Sequence, residues 1–395
     1  MSTAPLDARL GALPPLSPTE REHSDRVVAH LVHAIAEAEG WISFADYMQA
    51  ALYAPGLGYY VAGARKLGAA ADFVTAPELT PLFGYALACQ LAQVLALVAG
   101  GEIIEVGPGS GCLAADLLTT LAEQETLPAR YWLLEVSPDL RERQRNYLSA
   151  RIPALMPHVA WIDTLPERWS GAVIANEVLD AVPAHVVARR DGEWLERGVT
   201  VDRSAGLTFC DRPLEPGMLR NMAQLRFPAD GDYVSELNPA AEALVTTLGQ
   251  LCDRGLMLLI DYGFPELEYY HPQRDSGTLM AHYRQRALDN PLFCPGLIDI
   301  TAHVDFSAVA RAGSSAGMAV SGFAPQAHFL VACGVLDALA RCGDPRSAAY
   351  LRAANAVQKL TSPAEMGELF KVLALTRDLE VELVGFRDGD WSHRL

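Results

Sequence analysis

The feature that most constrains the fold is Gly101 to Leu118, GEIIEVGPGSGCLAADLL. Glu102 to Glu105 read as a short buried strand ending on an acid. Glycine then stands at every second position, Gly107, Gly109 and Gly111, and from Cys112 the apolar residues Leu113, Ala114, Leu117 and Leu118 recur at helical spacing. A strand that breaks through a glycine-rich turn into a helix commits the chain to an α/β layer. It also aims main-chain N–H groups at a ligand near the helix N-terminus. Glycine suits the turn because it tolerates positive φ and lets a ligand lie against the backbone. A dinucleotide fingerprint, G-x-G-x-x-G, would need its third glycine at position 112, where this chain has cysteine. The order E-x-G-x-G-x-G therefore disfavours a nicotinamide dehydrogenase.

Downstream segments repeat the pattern of a strand closing on a polar residue. Tyr131 to Glu135 is the second such strand, and an acid at that place accepts hydrogen bonds from ribose hydroxyls. Ser137-Pro138 caps the helix after it. Val159 to Asp163 is a third strand and Ala172 to Asn176 a fourth, followed by Glu177, Asp180 and Pro183. In a parallel sheet these side chains line the carboxyl edge, where ligands of open α/β sheets bind. Arg254 to Gly263 is a fifth strand, ending on Asp261. Between the fourth and fifth, HVVARRDGEWLERGVTVDRSAGLTF alternates polar and apolar residues around Asp191-Gly192, a hairpin turn. An antiparallel insertion is predicted from about His185 to Pro239, within a segment 185–253 on the substrate side.

The N-terminal hundred residues predict a helical layer and lid. Residues 1–20 read as a loose tail, with a first helix around Val28, Leu31, Val32 and Ile35 closed by Gly40. Ser43 and Asp46 cap a second helix, and Thr80-Pro81 opens an apolar one to about Val98, left open between core and interface. The long connection 52–84 carries Tyr59, Tyr60, Asp72 and Thr75, too aromatic for a disordered loop. After the fifth strand, 254–395 forms the second half of a core begun at 101–184. It contains a loop-rich stretch 264–304, helices at 305–312 and 327–339, and strands at 318–323 and 370–379.

Composition narrows the partners. A formal net charge of −17 argues against nucleic acid as substrate and favours cationic partners. Seven cysteines without a C-x-x-C pair, and ten histidines without H-E-x-x-H, point to a reducing compartment with no metal site. The N-terminus lacks the apolar core of a signal peptide, and no apolar run is long enough to span a membrane. The expectation is a cytoplasmic protein, with a homodimer left open.

Several stretches together carry a family resemblance: FADYMQAALYAPGLGYY, DFVTAPELTPLFG, EVGPGSGCLAADLL, LLEVSPDLRERQ, ANEVLDAVP, LLIDYG, PGLIDITAHVDFSAVA and MGELFKVLAL. The E-x-G-x-G-x-G turn is similar to the first motif of class I S-adenosylmethionine-dependent methyltransferases. The set as a whole, spread over nearly the full length, resembles the MidA-like family, relatives of the mitochondrial complex I assembly factor that methylates an arginine. The chain departs from the usual pattern at Ala71, where the family tends to have glycine. The resemblance implies a class I, Rossmann-like α/β fold with a seven-stranded core, S-adenosyl-L-methionine as cofactor, and a protein substrate presenting an arginine.

Methyl transfer from a sulfonium is an in-line displacement, so positioning carries much of the catalysis. A guanidinium, with a pKa above about 12, is a poor nucleophile, and a paired carboxylate can orient it and take up its proton. On the resemblance, Glu105, Gly107, Gly109, Gly111 and Glu135 are expected at the cofactor, Asp163 near the adenine, and Asp72 and Thr75 closing over it. Asn176 and Glu177 fall where this class places the residues facing the reacting methyl. Asp180 and Asp261 are candidate guanidinium partners. His303 is a candidate catalytic residue through the His-x-Asp spacing to Asp305, itself a possible helix cap. Tyr59 and Tyr60 are expected to serve mainly in packing. The alternatives are another acceptor for the same cofactor, or a cofactor-binding assembly factor without catalysis.

Overall fold

The computed structural model describes residues 15–62, 75–204, 206–284 and 286–395. The first helix is α1 (Pro18–Glu37), so order begins earlier than the tail expected over 1–20. Ser17 caps it, accepting from the Glu20 amide while the Glu20 side chain accepts from the Ser17 amide, a capping box that satisfies two end donors. Strand β1 (Ile42–Ser43) leads into α2 (Phe44–Tyr53), with Ser43 accepting from the Asp46 amide at 3.0 Å. The short α3 (Ala76–Leu79) precedes α4 (Pro81–Leu97).

The first βαβ unit follows as β2 (Glu102–Val106), α5 (Cys112–Glu123) and β3 (Tyr131–Leu134). Next come α6 (Pro138–Arg151), β4 (Val159–Ile162) and β5 (Trp169–Asn176). The insertion supplies β6 (His185–Arg190), β7 (Glu193–Val201), β8 (Leu207–Pro213), α7 (Met218–Arg226) and β9 (Tyr233–Leu237). Helix α8 (Pro239–Leu251) returns to the core ahead of β10 (Cys252–Phe264).

The stretch expected to be loop-rich holds α9 (Glu266–Tyr269) and three short strands, β11 (Met280–Tyr283), β12 (Arg286–Leu288) and β13 (Asp299–Thr301), which form their own antiparallel sheet. Then come β14 (Val304–Asp305), α10 (Phe306–Ser315) and β15 (Ala319–Pro325). The single helix expected over 327–339 is two, α11 (Gln326–Ala332) and α12 (Val335–Ala340). Gly334 separates them at φ 82°, a left-handed conformation that ends a helix. Helices α13 (Ala348–Thr361) and α14 (Met366–Leu369) lead to β16 (Phe370–Arg377).

Seven strands form the central sheet in the order β15-β16-β10-β5-β2-β3-β4, with β14 added at the end of β10. From β10 to β4 all pairings are parallel, and β16 is antiparallel to both neighbours. The chain runs outward from β2 through β3 to β4, then returns to place β5 on the other side of β2. The strand order therefore reverses between β2 and β5, and a crevice opens at their carboxyl ends.

Apolar side chains cover both faces of this sheet. On one, Phe83, Leu87 and Leu91 of α4 meet Leu117 and Leu118 of α5, all fully buried. Each such side chain contributes roughly 1.5–3 kcal/mol relative to exposure. Helix α4 is thus core: Gly84 lies so close to α5 that a Cβ there would come within 2.5 Å of the Asp116 Cβ. The other face packs on α8 and α10. A separate core joins α1 and α2 to the insertion and to β11 and β13, through Leu31, Met48, Val199 and Ile300. Strand β1 pairs with β7, so the N-terminal layer and the insertion share one sheet.

Candidate active site

The turn after β2 has the backbone its glycines require. Gly107, Gly109 and Gly111 take φ of 64°, 53° and 81°, values that L side chains adopt at a cost. A Cβ on Gly107 would also stand 3.0 Å from Val178 Cγ2. The turn is tied to the next strand by Gln144 of α6, whose Nε2 donates to the Gly109 carbonyl at 2.9 Å and to Glu135 Oε2 at 3.1 Å. Trp161 holds that amide by donating to its Oε1 at 2.9 Å. Glu135 Oε1 accepts from the Ser137 amide at 2.8 Å, leaving lone pairs on both oxygens for further donors. Glu105 is 3% exposed and accepts from the Tyr131 hydroxyl at 2.7 Å; burial pushes its carboxyl up to about 8.

This turn floors a cavity of about 350 Å³, a volume suited to a small organic ligand. Glu105, Gly107, Gly109, Glu135 and Thr75 line one part of it. Asn176, Glu177, Asp180, Asp299 and the rings of Tyr53, Tyr60 and Tyr262 line another. Val136, Asp139, Leu140 and Arg143 edge the side beyond Glu135.

Glu177 sits at φ 53°, a strained conformation for a non-glycine residue of the sort found at active sites. Its amide donates to the Ile260 carbonyl at 2.8 Å, which holds the turn against β10. Glu177 Oε1 accepts from the Ala76 amide and from Asn176 Nδ2, each at 3.2 Å. Asn176 Oδ1 is buried without a partner among the described residues, and so is Asp180 Oδ1. Burial, then the nearby Asp180 carboxylate, pushes Glu177 up to about 8. Burial pushes Asp180 up to about 7, with the field of Asp299 adding to the shift and a Tyr262 hydrogen bond opposing it. Low-dielectric carboxylates around one space disfavour one another's charge.

Several sequence expectations are corrected. Asp261 does not line the cavity. Its Oδ2 accepts from the amides of Val178, Leu179 and Asp180 at 3.2, 2.9 and 3.2 Å, and its Oδ1 from Tyr262 at 2.9 Å. It therefore fixes the turn that carries Glu177 and Asp180 instead of meeting a substrate. Asp163 has a 72% exposed side chain, paired with Arg141 at 3.8 Å, and lies outside the cavity. His303 lies outside it as well, stacked on Phe264 with ring centroids 5.4 Å apart and meeting Tyr262 edge-on. Burial and the cations of Arg274 and Lys371 hold its imidazole down to about 4. Asp305 is the cap of α10, accepting from the Ala308 amide at 3.0 Å. Tyr59 and Tyr60 line the cavity in addition to packing. Asp72 lies outside the described residues.

Asp299, Tyr262, Glu78 and Gln144 join the site without having been expected there from sequence. Asp299 opens β13 and accepts from the Tyr60 hydroxyl at 2.8 Å. Glu78 accepts from the Ser110 hydroxyl and so joins α3 to the glycine turn. A signal for Asp299 exists in the stretch PGLIDITAHVDFSAVA, where the His-x-Asp spacing is the more conspicuous feature. Among the described residues, no cluster of three or more His, Cys, Asp or Glu could hold a metal, and no helix is long and apolar enough to cross a membrane.

Known proteins bear on this geometry. A model of a family described as "Putative S-adenosyl-L-methionine-dependent methyltransferase" matches residues 86–324. The mitochondrial protein arginine methyltransferase NDUFAF7 homolog of Drosophila melanogaster is 28% identical, over 91% of this chain and 87% of its own length. The Mus musculus protein arginine methyltransferase NDUFAF7 is 29% identical, over 91% and 86%. A crystal structure from Burkholderia thailandensis, described as a "likely methyl transferase" bound to S-adenosyl-homocysteine, is 47% identical. It covers 97% of this chain and 100% of its own, with a TM-score of 0.94.

Proposed function

Because the chain belongs to this family of S-adenosyl-L-methionine-dependent methyltransferases, we propose that its methyl acceptor is an arginine side chain presented by a protein partner. The cofactor supplies a sulfonium methyl and leaves as S-adenosylhomocysteine. The residues present fit it: the turn takes positive φ at all three glycines, Gly107 and Gly109 line the cavity with carboxylates at both Glu105 and Glu135, and Gly111, contrary to expectation, faces Gln144 and Leu148 instead of the cavity. In this reading the cradle holds the methionine part and Glu105 takes its amino group. Glu135 accepts from the ribose hydroxyls, while Val136 and Leu140, in place of Asp163, wall the adenine. Thr75 covers the cofactor from the α3 side. Asn176 and Glu177 face the methyl.

The observation that carries the arginine reading is the other part of the cavity, which the carboxylates of Glu177, Asp180 and Asp299 line together beside aromatic rings, close enough for their fields to act on one another. Buried like charges are costly unless a cation joins them. A guanidinium is such a cation, and it needs carboxylates to align it and accept its proton before it can act as a nucleophile. The names of the relatives support the same acceptor, and the net charge of −17 supports a basic segment over a nucleic acid as partner. The test is transfer from deuteromethyl-labelled cofactor into a proteome extract, followed by digestion and mass spectrometry, with a Gly109→Val variant as blank. Label on arginine is the expected result. Label confined to lysine, to carboxyl groups or to small molecules would sink the proposal.

A further inference from the structure

The acceptor part of the cavity holds more hydrogen-bond acceptors than the cofactor reading uses, and their arrangement is selective. Asp180 is 5% exposed, lines the cavity, and leaves Oδ1 unpartnered among the described residues. Asn176 Oδ1 is likewise buried and unpartnered. Asp299 comes from a different element, β13, and its Oδ1 is fixed by the Tyr60 hydroxyl at 2.8 Å. The Tyr60 ring stacks on Tyr53 with centroids 5.5 Å apart and planes 24° from parallel, while Tyr53 anchors its own hydroxyl on the Ala181 carbonyl at 3.0 Å. The tyrosine pair thus ties α2 and its following turn to both acidic segments.

We propose that Asp299 and Asp180 are two sides of a clamp for the acceptor guanidinium, with Asn176 Oδ1 as a third acceptor and Asp180 Oδ1 as the proton acceptor. This rests on the arginine reading above. A guanidinium offers five N–H donors in one plane, whereas an ammonium offers three on a point charge. Acceptors from separate segments, with tyrosine rings lining the same cavity, match the planar cation. During transfer the acceptor Nη forms a bond to the methyl carbon as the carbon–sulfur bond breaks, with its electron pair remaining on sulfur. The proton of that Nη passes to Asp180 Oδ1, and the product remains a methylguanidinium cation. Asp299 keeps the remaining N–H groups in register, so the attacking nitrogen points at the methyl.

The experiment uses two probes built on 5′-thioadenosine, one carrying a guanidinoalkyl arm in the position of the methyl, the other an alkyl arm of equal length. Affinities are measured by calorimetry on the full chain, with S-adenosylhomocysteine as the reference ligand. The wild type is expected to prefer the guanidino probe by a hundredfold or more. Asp299→Asn should cut that preference at least tenfold, and Tyr60→Phe severalfold, with reference affinity within a factor of two. A wild type without the preference overturns the arginine reading and the clamp with it. A wild-type preference that survives intact in Asp299→Asn overturns the clamp alone. If Asp299→Asn no longer binds the reference ligand, Tyr60→Phe decides: an unchanged preference there overturns the assignment of Asp299.

Discussion

The two parts of this one cavity are built by opposite means. The part we assign to the cofactor comes mainly from a single β-turn-α passage, β2 to α5, and from the end of the adjacent β3, with Thr75 ahead of α3 and Leu140 of α6 at its edges. The part we propose for the acceptor is assembled from α2 and the turn after it, the end of β5, the end of β10, and β13, which are far apart in sequence. The difference teaches where chemistry is fixed locally and where by tertiary packing. A glycine turn carries its conformation in its own residues, whereas Asp299 and Asp180 line one cavity only because the insertion core holds β13 beside α2.

The largest effect expected from this contrast is at the turn. Gly109→Val puts a β-branched side chain at φ 53°, in the cradle itself. S-adenosylhomocysteine affinity should fall about a thousandfold, roughly 4 kcal/mol, in a protein that still unfolds cooperatively. Retained binding, measured by calorimetry, would break the claim that the cofactor part is a local device.

Asp261→Ala probes the opposite case. It orphans four backbone N–H groups behind the turn carrying Glu177 and Asp180. Buried donors left without acceptors make a destabilisation of roughly 3 kcal/mol the expected outcome in urea titration. Were Asp261 a substrate ligand instead, stability would hold and only the acceptor KM would rise.

These cases show what was legible in the sequence. The order of strands, the glycine turn, Glu105 and Glu135 were legible because period-2 and period-3.6 patterns and turn chemistry are short-range signals. The end of a strand marks the ligand edge of a parallel sheet, but not which way an acid there points. Asp261 and Asp163 both close expected strands, yet one turns inward to backbone amides and the other faces solvent beside Arg141. His303 misled through spacing: stacking on Phe264 is a long-range contact that His-x-Asp does not encode. Asp299 was missed for the converse reason, since its significance lies in Tyr60, which sits hundreds of positions away.

A pH profile distinguishes the two parts without mutation. Without cofactor, burial holds protons on Asp180 and Glu177 until pH passes about 7 and about 8, and the sulfonium of a bound cofactor would lower both. Among the described residues Asp299, Tyr60 and Tyr262 face them across the cavity, and the Asp299 carboxylate raises both. A protonated Asp180 carboxyl pairs poorly with a guanidinium, so with cofactor saturating kcat/KM for the acceptor should rise with pH and fall about tenfold per unit on an acid limb at or below pH 7. Once the cation is bound it favours the ionised carboxylates, so the same limb in kcat should lie at lower pH. Identical limbs in kcat and kcat/KM would mean that the acceptor carries no charge to these residues.

The smallest effect sharpens the comparison by testing its exception. Gln144 works across segments at the glycine turn, joining the Gly109 carbonyl, Glu135 and Trp161. If the turn is self-sufficient, Gln144→Leu should loosen it without dismantling it. Two donated hydrogen bonds disappear, the indole N–H of Trp161 loses its acceptor, and an apolar side chain of similar length keeps the packing. A net loss of about 1 kcal/mol is expected, equivalent to a five- to tenfold weaker affinity for S-adenosylhomocysteine. Methyl transfer at saturating cofactor should be nearly unchanged, because Gln144 touches nothing in the acceptor part. A loss as large as that of Gly109→Val would show instead that the turn holds its shape only through α6. The cofactor part would then be as much a product of tertiary packing as the acceptor part, and the contrast between them would fail.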